Sequence, residues 1–220
     1  MNKNKRNRAL IISGGTLTCD TVEEELKKGG FLIGVDSGIN YLYQHKIEPD
    51  FLVGDFDSVD SIAISHYKSK GQIPIREFNP VKDASDTEIA VRLAMELGFQ
   101  EITILGATGS RIDHVLANIQ VLTIPYRAGI HVNIVDSINR ISLVSKNAIY
   151  KKCDLYGPYF SLFALGGTVK GLTLKGSKYP LENHELLPYD SLSISNQVIE
   201  EELEIRYEEG ILILIEAKEA

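Results

Sequence analysis

Over residues 9–135 short, almost wholly apolar runs alternate with stretches whose apolar positions recur at helical spacing. Ala9-Leu10-Ile11-Ile12, Phe31 to Val35, Phe51-Leu52-Val53, Ile73 to Phe78, Glu101 to Leu105 and His131 to Val135 read as six strands. Each is a brief apolar run bounded by turn residues, as a strand covered on both faces requires. Between them, Asp20 to Lys28, a face made by Ile39, Leu42 and Tyr43, Ser61 to Lys70, a stripe of Ile89, Leu93 and Leu97 closed by Gly98, and His114 to Leu122 read as helices. Alternation at this pitch predicts an α/β domain over residues 1–140, built on a doubly wound, mostly parallel sheet.

After about Arg140 the helical periodicity stops. Tyr159 to Leu165, Thr168 to Leu174, Ser191 to Ser195, Leu203 to Tyr207 and Gly210 to Ile215 alternate or run apolar, with Gly157-Pro158, Gly166-Gly167 and Tyr179-Pro180 between them. Short strands separated by such turn signals predict an all-β sandwich over residues 141–220.

In a doubly wound sheet, chemistry gathers beyond the carboxyl ends of the strands. The polar clusters of this chain fall there repeatedly: Ser13-Gly14-Gly15, Asp36-Ser37-Gly38, Gly54-Asp55-Phe56-Asp57-Ser58, Lys82 to Asp86, and Gly106 to His114. Asp55 and Asp57 follow the Phe51 run, and on an extended backbone both carboxylates would point the same way. Hard oxygen donors at that spacing suit Mg²⁺ with phosphate oxygens as further ligands. Taken alone, the same residues also suit a solvated turn. Asp86 opens a helix and either caps it with Ser85 or joins Asp55 and Asp57 as a third metal ligand. Lys82 either faces phosphates or is a solvated loop lysine. Gly106 to His114 combines turn glycines, Arg111, Asp113 and a helix start, which suits a polyphosphate cradle without matching a Walker loop or G-x-G-x-x-G. His114 is a general base or a hydrogen-bonded structural histidine.

Bulk properties narrow the partners. The 220 residues carry 44% hydrophobic and 24% charged side chains, ordinary for a soluble protein. A net charge of −7 argues against a broad nucleic-acid or membrane surface. It also means an anionic substrate needs a metal or a few placed cations. Met1 to Arg8 is basic and reads as a frayed start, and the apolar run after it is too short for a signal peptide. Cys19 and Cys153 lie far apart with no metal-like spacing, so a reducing cytoplasm is expected, and no Ser/His/Asp or Cys/His nucleophile arrangement stands out.

The ordered set Asp36-Ser37-Gly38, Gly54 to Ser58, Lys82 to Asp86 and Gly106 to His114 resembles the thiamine pyrophosphokinase family, and the resemblance spans essentially the whole chain. It implies transfer of the pyrophosphoryl group of ATP to the alcohol of thiamine, with thiamine diphosphate and AMP as products. It implies Mg²⁺ on Asp55, Asp57 and Asp86, with Lys82 also catalytic. It places Asp36, Ser37, Gly38, Arg111, Asp113 and His114 at ATP, and the pair Ser195-Asn196 at thiamine. It further implies that the first domain is catalytic and the second binds thiamine and dimerises, in a homodimer whose active site is shared between subunits. Two departures stand out. Ser85 replaces a common Thr, keeping the hydroxyl. The residues after Ser195-Asn196 are Gln197-Val198-Ile199, without the aromatic that commonly stacks on thiamine, so stacking must come from elsewhere, such as Tyr179, or give way to aliphatic packing. A Mg²⁺-dependent phosphohydrolase and a non-catalytic nucleotide- or thiamine-binding regulator are the alternative readings. The first is disfavoured because strand one ends in Ser13-Gly14-Gly15 rather than a nucleophilic Asp.

Overall fold

The computed structural model describes residues 7–77 and 84–219, so Lys82 and the rest of segment 78–83 lie outside the described residues. The chain divides into two compact units, residues 1–137 and 138–220.

The N-terminal unit alternates β1 (Arg8–Ile12), α1 (Cys19–Lys28), β2 (Phe31–Val35), α2 (Gly38–Gln44), β3 (Phe51–Gly54), α3 (Ser61–Lys70), β4 (Ile75–Glu77), α4 (Asp86–Glu96), β5 (Glu101–Leu105), α5 (Ile112–Val121), α6 (Thr123–Arg127) and β6 (His131–Val135). All its strand pairs are parallel, in the order β6-β5-β1-β2-β3-β4. From β1 the chain winds outward to β4, then crosses back to lay β5 on the other side of β1. The winding direction therefore reverses between β1 and β5, and loops leaving these two strands diverge to leave a crevice. Leu10, Ile11, Ile12, Ile33, Ile102 and Ile104 are fully or almost fully buried, as strands covered on both faces must be.

Three local expectations change. Arg8 belongs to β1 rather than to a frayed start: its guanidinium is buried, pairs with Glu25 of α1 and donates to the Gly29 carbonyl at 2.8 Å. A buried guanidinium requires such partners. In α4 the inward face is Thr87, Ala90, Val91, Leu93 and Ala94, while Leu97 is exposed. Leu93 of the predicted stripe keeps its place in that face, and Thr87, Ala90, Val91 and Ala94 complete it in place of Leu97. Helix α5 starts two residues before His114, and α6 follows with Pro125 in its first turn, where the missing N–H costs nothing.

The C-terminal unit holds β7 (Asn139–Leu143), β8 (Ala148–Lys151), β9 (Tyr159–Ala164), β10 (Val169–Lys175), β11 (Leu181–Leu186), β12 (Asn196–Gln197), β13 (Glu202–Arg206) and β14 (Leu212–Ala217). These form two antiparallel sheets, β12-β9-β14-β7 and β11-β10-β13-β8. Phe160, Leu162, Leu172, Leu174, Leu203, Ile205, Leu212 and Leu214 fill one core, with the alternation that such sheets need. The expected strand Ser191 to Ser195 is instead a run of turns. Ser193 Oγ donates to the Leu162 carbonyl at 2.8 Å, the Ser195 N–H donates to Ser161 Oγ at 3.0 Å, and Ser195 has φ +53°. Hydroxyls thus supplement a main-chain bond from the Leu162 N–H to the Ser193 carbonyl at 3.1 Å, and regular pairing begins only at Asn196.

Candidate functional site

The crevice at the β1/β5 reversal is a cleft of about 520 Å³, lined by Ser13 to Thr16, Asp36, Ser85 to Thr87, Gly106 to Arg111, and His114, Val115, Ala117 and Asn118 of α5. One rim is backbone. The Ser13 N–H donates to the Leu105 carbonyl at 2.8 Å, Gly15 N–H to Gly106 at 2.7 Å, and Thr16 N–H to Thr108 at 2.7 Å. The approach leaves no room for side chains: a Cβ on Gly106, whose φ is +68°, would overlap the Ser13 carbonyl oxygen, and one on Gly15 would overlap that of Thr108. Glycine is what permits both the conformation and the contact. Asn118, buried on α5, donates to the Ala107 carbonyl at 2.8 Å, and Thr108 Oγ1 donates to Asp136 at 2.9 Å. These two clamps fix the β5 loop. Neither has a sequence signal beyond a polar residue on an otherwise apolar helix or at a strand end.

The opposite rim is charged: Asp36, which follows β2, and Asp86, which opens α4, line the cleft, while Asp55 and Asp57 follow β3 outside its lining. Ser85 takes the capping role, accepting from the Glu88 N–H at 3.2 Å. Thr87, next to Asp86, meets Ser13 Oγ at 2.8 Å, so the start of α4 is pinned over the tip of β1. Asp36 is left-handed at φ +50°, its carbonyl accepting from Ile39 N–H at 3.0 Å. A short polar side chain tolerates this conformation, and such positions collect at functional sites.

Asp55 and Asp57 do not reach one side by strand alternation. The strand ends at Gly54, Phe56 turns left-handed at φ +60°, and the Asp57 N–H folds back to Asp55 Oδ1 at 3.2 Å. An Asx-type turn of this kind brings the two carboxylates together where an extended chain would only align them. The Phe56 ring is half-buried under Lys68, whose Nζ lies 5.5 Å from its centroid.

The four carboxylates act on one another. Burial, followed by the charges of Asp86, Asp55 and Asp57, raises the Asp36 carboxyl above its ordinary value against the opposing Ser37 N–H. The hydrogen bond to Asp55 and its charge, followed by slight desolvation and the charge of Asp86, raises the exposed Asp57. Among the described residues no three His, Cys, Asp or Glu side chains yet converge tightly enough to hold a metal ion. The donor set nevertheless fits one in kind: concentrated oxygen ligands whose repulsion a hard divalent cation would relieve.

The remaining predicted residues divide. Ser37 Oγ donates to the Gly14 carbonyl at 3.2 Å, and a Cβ on Gly38 would overlap the Ile12 carbonyl oxygen, so both knit the β2 turn to the β1 loop. Arg111 and His114 stand on the cleft wall. The Arg111 guanidinium grips Asp113 through both oxygens, at 3.2 and 2.6 Å, and holds that carboxyl below the usual range. Both side chains are exposed. In the C-terminal unit Asn196 is only 1% exposed, and its amide is spent on Tyr179: it accepts from the Tyr179 N–H at 3.1 Å and donates to the Tyr179 carbonyl at 2.8 Å. The Tyr179 ring is 57% exposed, with Lys178 Nζ at 5.5 Å from its centroid.

Comparison with known proteins follows this division of the chain. Residues 22–134 match the family model described as thiamin pyrophosphokinase, catalytic domain, and residues 146–212 match thiamin pyrophosphokinase, vitamin B1 binding domain. A thiamine pyrophosphokinase from Bacillus subtilis is 32% identical over 83% of this chain and 85% of its own length. The crystal structure of thiamine pyrophosphokinase from Bacillus subtilis superposes with a TM-score of 0.86 at 30% identity, covering 97% of this chain and all of that one. That of a thiamin pyrophosphokinase from Geobacillus thermodenitrificans gives 0.82 at 29%, covering 97% and 98%. With both family regions matched in order and the fold shared end to end, this chain belongs to the thiamine pyrophosphokinase family.

Proposed function

We propose that this protein transfers the pyrophosphoryl group of ATP to the hydroxyl of thiamine, giving thiamine diphosphate and AMP. The observation that carries this reading is the cleft itself. A backbone rim of glycines faces Asp36 and Asp86 across the cleft where the sheet reverses its winding, and the charges of Asp55 and Asp57 reach Asp36 from the tip of β3. Asp55, Asp57 and Asp86 would hold Mg²⁺, which would supply neutralisation of phosphate charge there. Gly14, Gly15 and Gly106 keep the β1 and β5 loops free of side chains, so a triphosphate can approach the main chain closely. Arg111 exchanges Asp113 for phosphate oxygens, offsetting charge as AMP departs, while Asp113 holds the guanidinium ready between turnovers. Asp36, Ser37, Gly38 and His114 complete the nucleotide side. Lys82 acts at the pyrophosphate by family resemblance.

For thiamine, we assign Ser195 as a polar contact and Tyr179 as the aromatic face, in place of the missing aromatic after Asn196. An exposed ring whose backbone is clamped at both its N–H and its carbonyl by a buried amide is a low-entropy stacking surface. Asn196 thus serves by positioning Tyr179. The protein acts as a homodimer with the active site shared between subunits. Exposed Ile112 and Leu116 on α5 and Tyr189, Leu192 and Ile194 in the C-terminal unit support an apolar contact of this kind. The two exposed, unbridged cysteines support a cytoplasmic setting. Among the described residues no helix is long and apolar enough to cross a membrane.

The deciding experiment incubates the protein with ATP, Mg²⁺ and thiamine and follows AMP and thiamine diphosphate together. Thiamine-dependent AMP is expected. Phosphate release without thiamine, or binding without turnover, overturns the proposal. In the same assay Tyr179→Ala raises the KM for thiamine with little change in that for ATP. A sedimentation mass near one 24.4 kDa chain at micromolar concentration contradicts the dimer.

A further inference from the structure

Outside the cleft, the fold brings together two residues that lie far apart along the chain. Cys19 opens α1, and His45 follows the end of α2. Cys19 Sγ and His45 Nε2 are 3.6 Å apart, and both residues are exposed. His45 Nδ1 lies 2.9 Å from the Tyr41 carbonyl. A carbonyl can only accept, so Nδ1 carries the ring proton and Nε2 turns a lone pair to the sulfur. The Tyr41 ring stacks on the imidazole with centroids 4.0 Å apart and planes 20° apart, fixing its orientation. Burial first, then Cys19, pushes the Tyr41 hydroxyl up to about 12, so it stays protonated at neutral pH. Glu23 is the other charge acting on that hydroxyl. The amide dipoles at the start of α1 favour negative charge at its first residue.

A nucleophile within reach of a base, and a base oriented by a third group, is the arrangement that activates a thiol. We infer that Cys19 and His45 form a reactive thiol–imidazole pair whose substrates are small-molecule disulfides, and that Cys19 is a site of reversible mixed-disulfide formation. His45 Nε2 takes the Cys19 proton as Sγ attacks one sulfur of the disulfide. A new S–S bond forms, the old one breaks, and the departing thiolate accepts the proton from the imidazolium. Cys19 is thereby oxidised by the half of the disulfide that leaves reduced, and a free thiol reverses the step. Neither residue lines the cleft, so the inference is independent of the reaction proposed there.

The chain carries its own control. Cys153 is also exposed, but its sulfur sits 3.6 Å from a carboxylate oxygen, Asp154 Oδ1, where Cys19 has an imidazole. The test compares two single-cysteine proteins, Cys153→Ser and Cys19→Ser. Each is mixed at neutral pH with an aromatic disulfide that releases a coloured thiolate, and then with oxidised glutathione followed by intact-mass spectrometry. Cys19 is expected to react at least about tenfold faster than Cys153. Adding His45→Gln to the Cys153→Ser protein is expected to remove most of that advantage. Equal rates for the two cysteines overturn the inference, and that comparison does not need the histidine variant to fold. A fast Cys19 whose rate survives His45→Gln in a protein with an unchanged melting curve also overturns the pair.

Discussion

The rim of the cleft at the tips of β1 and β5 is held by main-chain hydrogen bonds of 2.7 to 2.8 Å and by glycines that a methyl group would drive apart. The facing side, at the tips of β2 and β3 and the start of α4, gathers four carboxylates whose charges raise the proton affinity of Asp36 and Asp57. One side is assembled by folding alone and is at rest. The other is assembled against its own repulsion, which a bound cation would relieve. A phosphoryl-transfer site needs both: a rigid frame to fix the nucleotide, and a charge deficit to attract a cation. The contrast predicts that substitutions on the two rims fail differently.

The largest effect is expected on the charged rim. Asp57→Asn removes one proposed metal ligand and also a repelling charge, so turnover should fall by at least about a hundredfold while the melting temperature holds or rises. AMP release and a thermal melt on the same sample check this. Near-normal activity would take Asp57 out of the metal site and leave the Asp55–Asp57 turn as a structural feature only.

On the backbone rim the order reverses, with stability lost first. Gly106→Ala places a methyl group against the Ser13 carbonyl at a left-handed position. Strain of about 1–2 kcal/mol adds to overpacking of about 1–3 kcal/mol. Gly129→Ala is the control, since its φ is +74° but nothing lies within 4 Å of the added Cβ. It should show the strain alone. Denaturant midpoints for the two variants separate the contributions. Equal losses would mean that close approach of the β1 and β5 loops is not what the glycine serves.

The two rims also differ in how far the sequence reveals them. Strand tips are readable because five of the six apolar runs lead into polar clusters, and Asp36, Asp55 and Asp86 lie in those clusters whatever the side-chain detail. The route by which Asp55 and Asp57 meet is not readable. Period-two alternation predicts a shared face on a strand, whereas a left-handed Phe56 makes a turn. Local backbone sign carries no hydropathy signal. For the same reason Ser191 to Ser195 looks like a strand, though hydroxyls supply part of its bonding. The inward face of α4 keeps Leu93 but takes Thr87, Ala90, Val91 and Ala94 in place of Leu97, because packing on a sheet is a tertiary demand. The Cys19–His45 contact is invisible for another reason: two helices on separate crossovers must pack before 26 residues of separation become 3.6 Å.

The smallest effect is a pH dependence, and it bears most directly on the charged rim. Asp36 and Asp57 have raised carboxyls in the folded protein, so the native state binds more protons there than the unfolded chain. Stability from these two groups is therefore fully present below the ordinary carboxylate range and is lost as pH rises through their raised values. Carboxylates held low by cations, such as Glu48 beside Lys70 and Asp113 beside Arg111, contribute with the opposite sign. The informative quantity is thus a difference, the melting temperature of Asp36→Asn minus that of the unsubstituted protein, measured without divalent cations. It should be close to zero in acid and grow by a few degrees toward neutral pH, with the variant the more stable. Added Mg²⁺ should shrink the difference at neutral pH, because only the unsubstituted protein has that repulsion to relieve. A difference that stays flat across pH would mean that the four carboxylates do not share one field, and the charged rim would lose its distinction from the backbone rim.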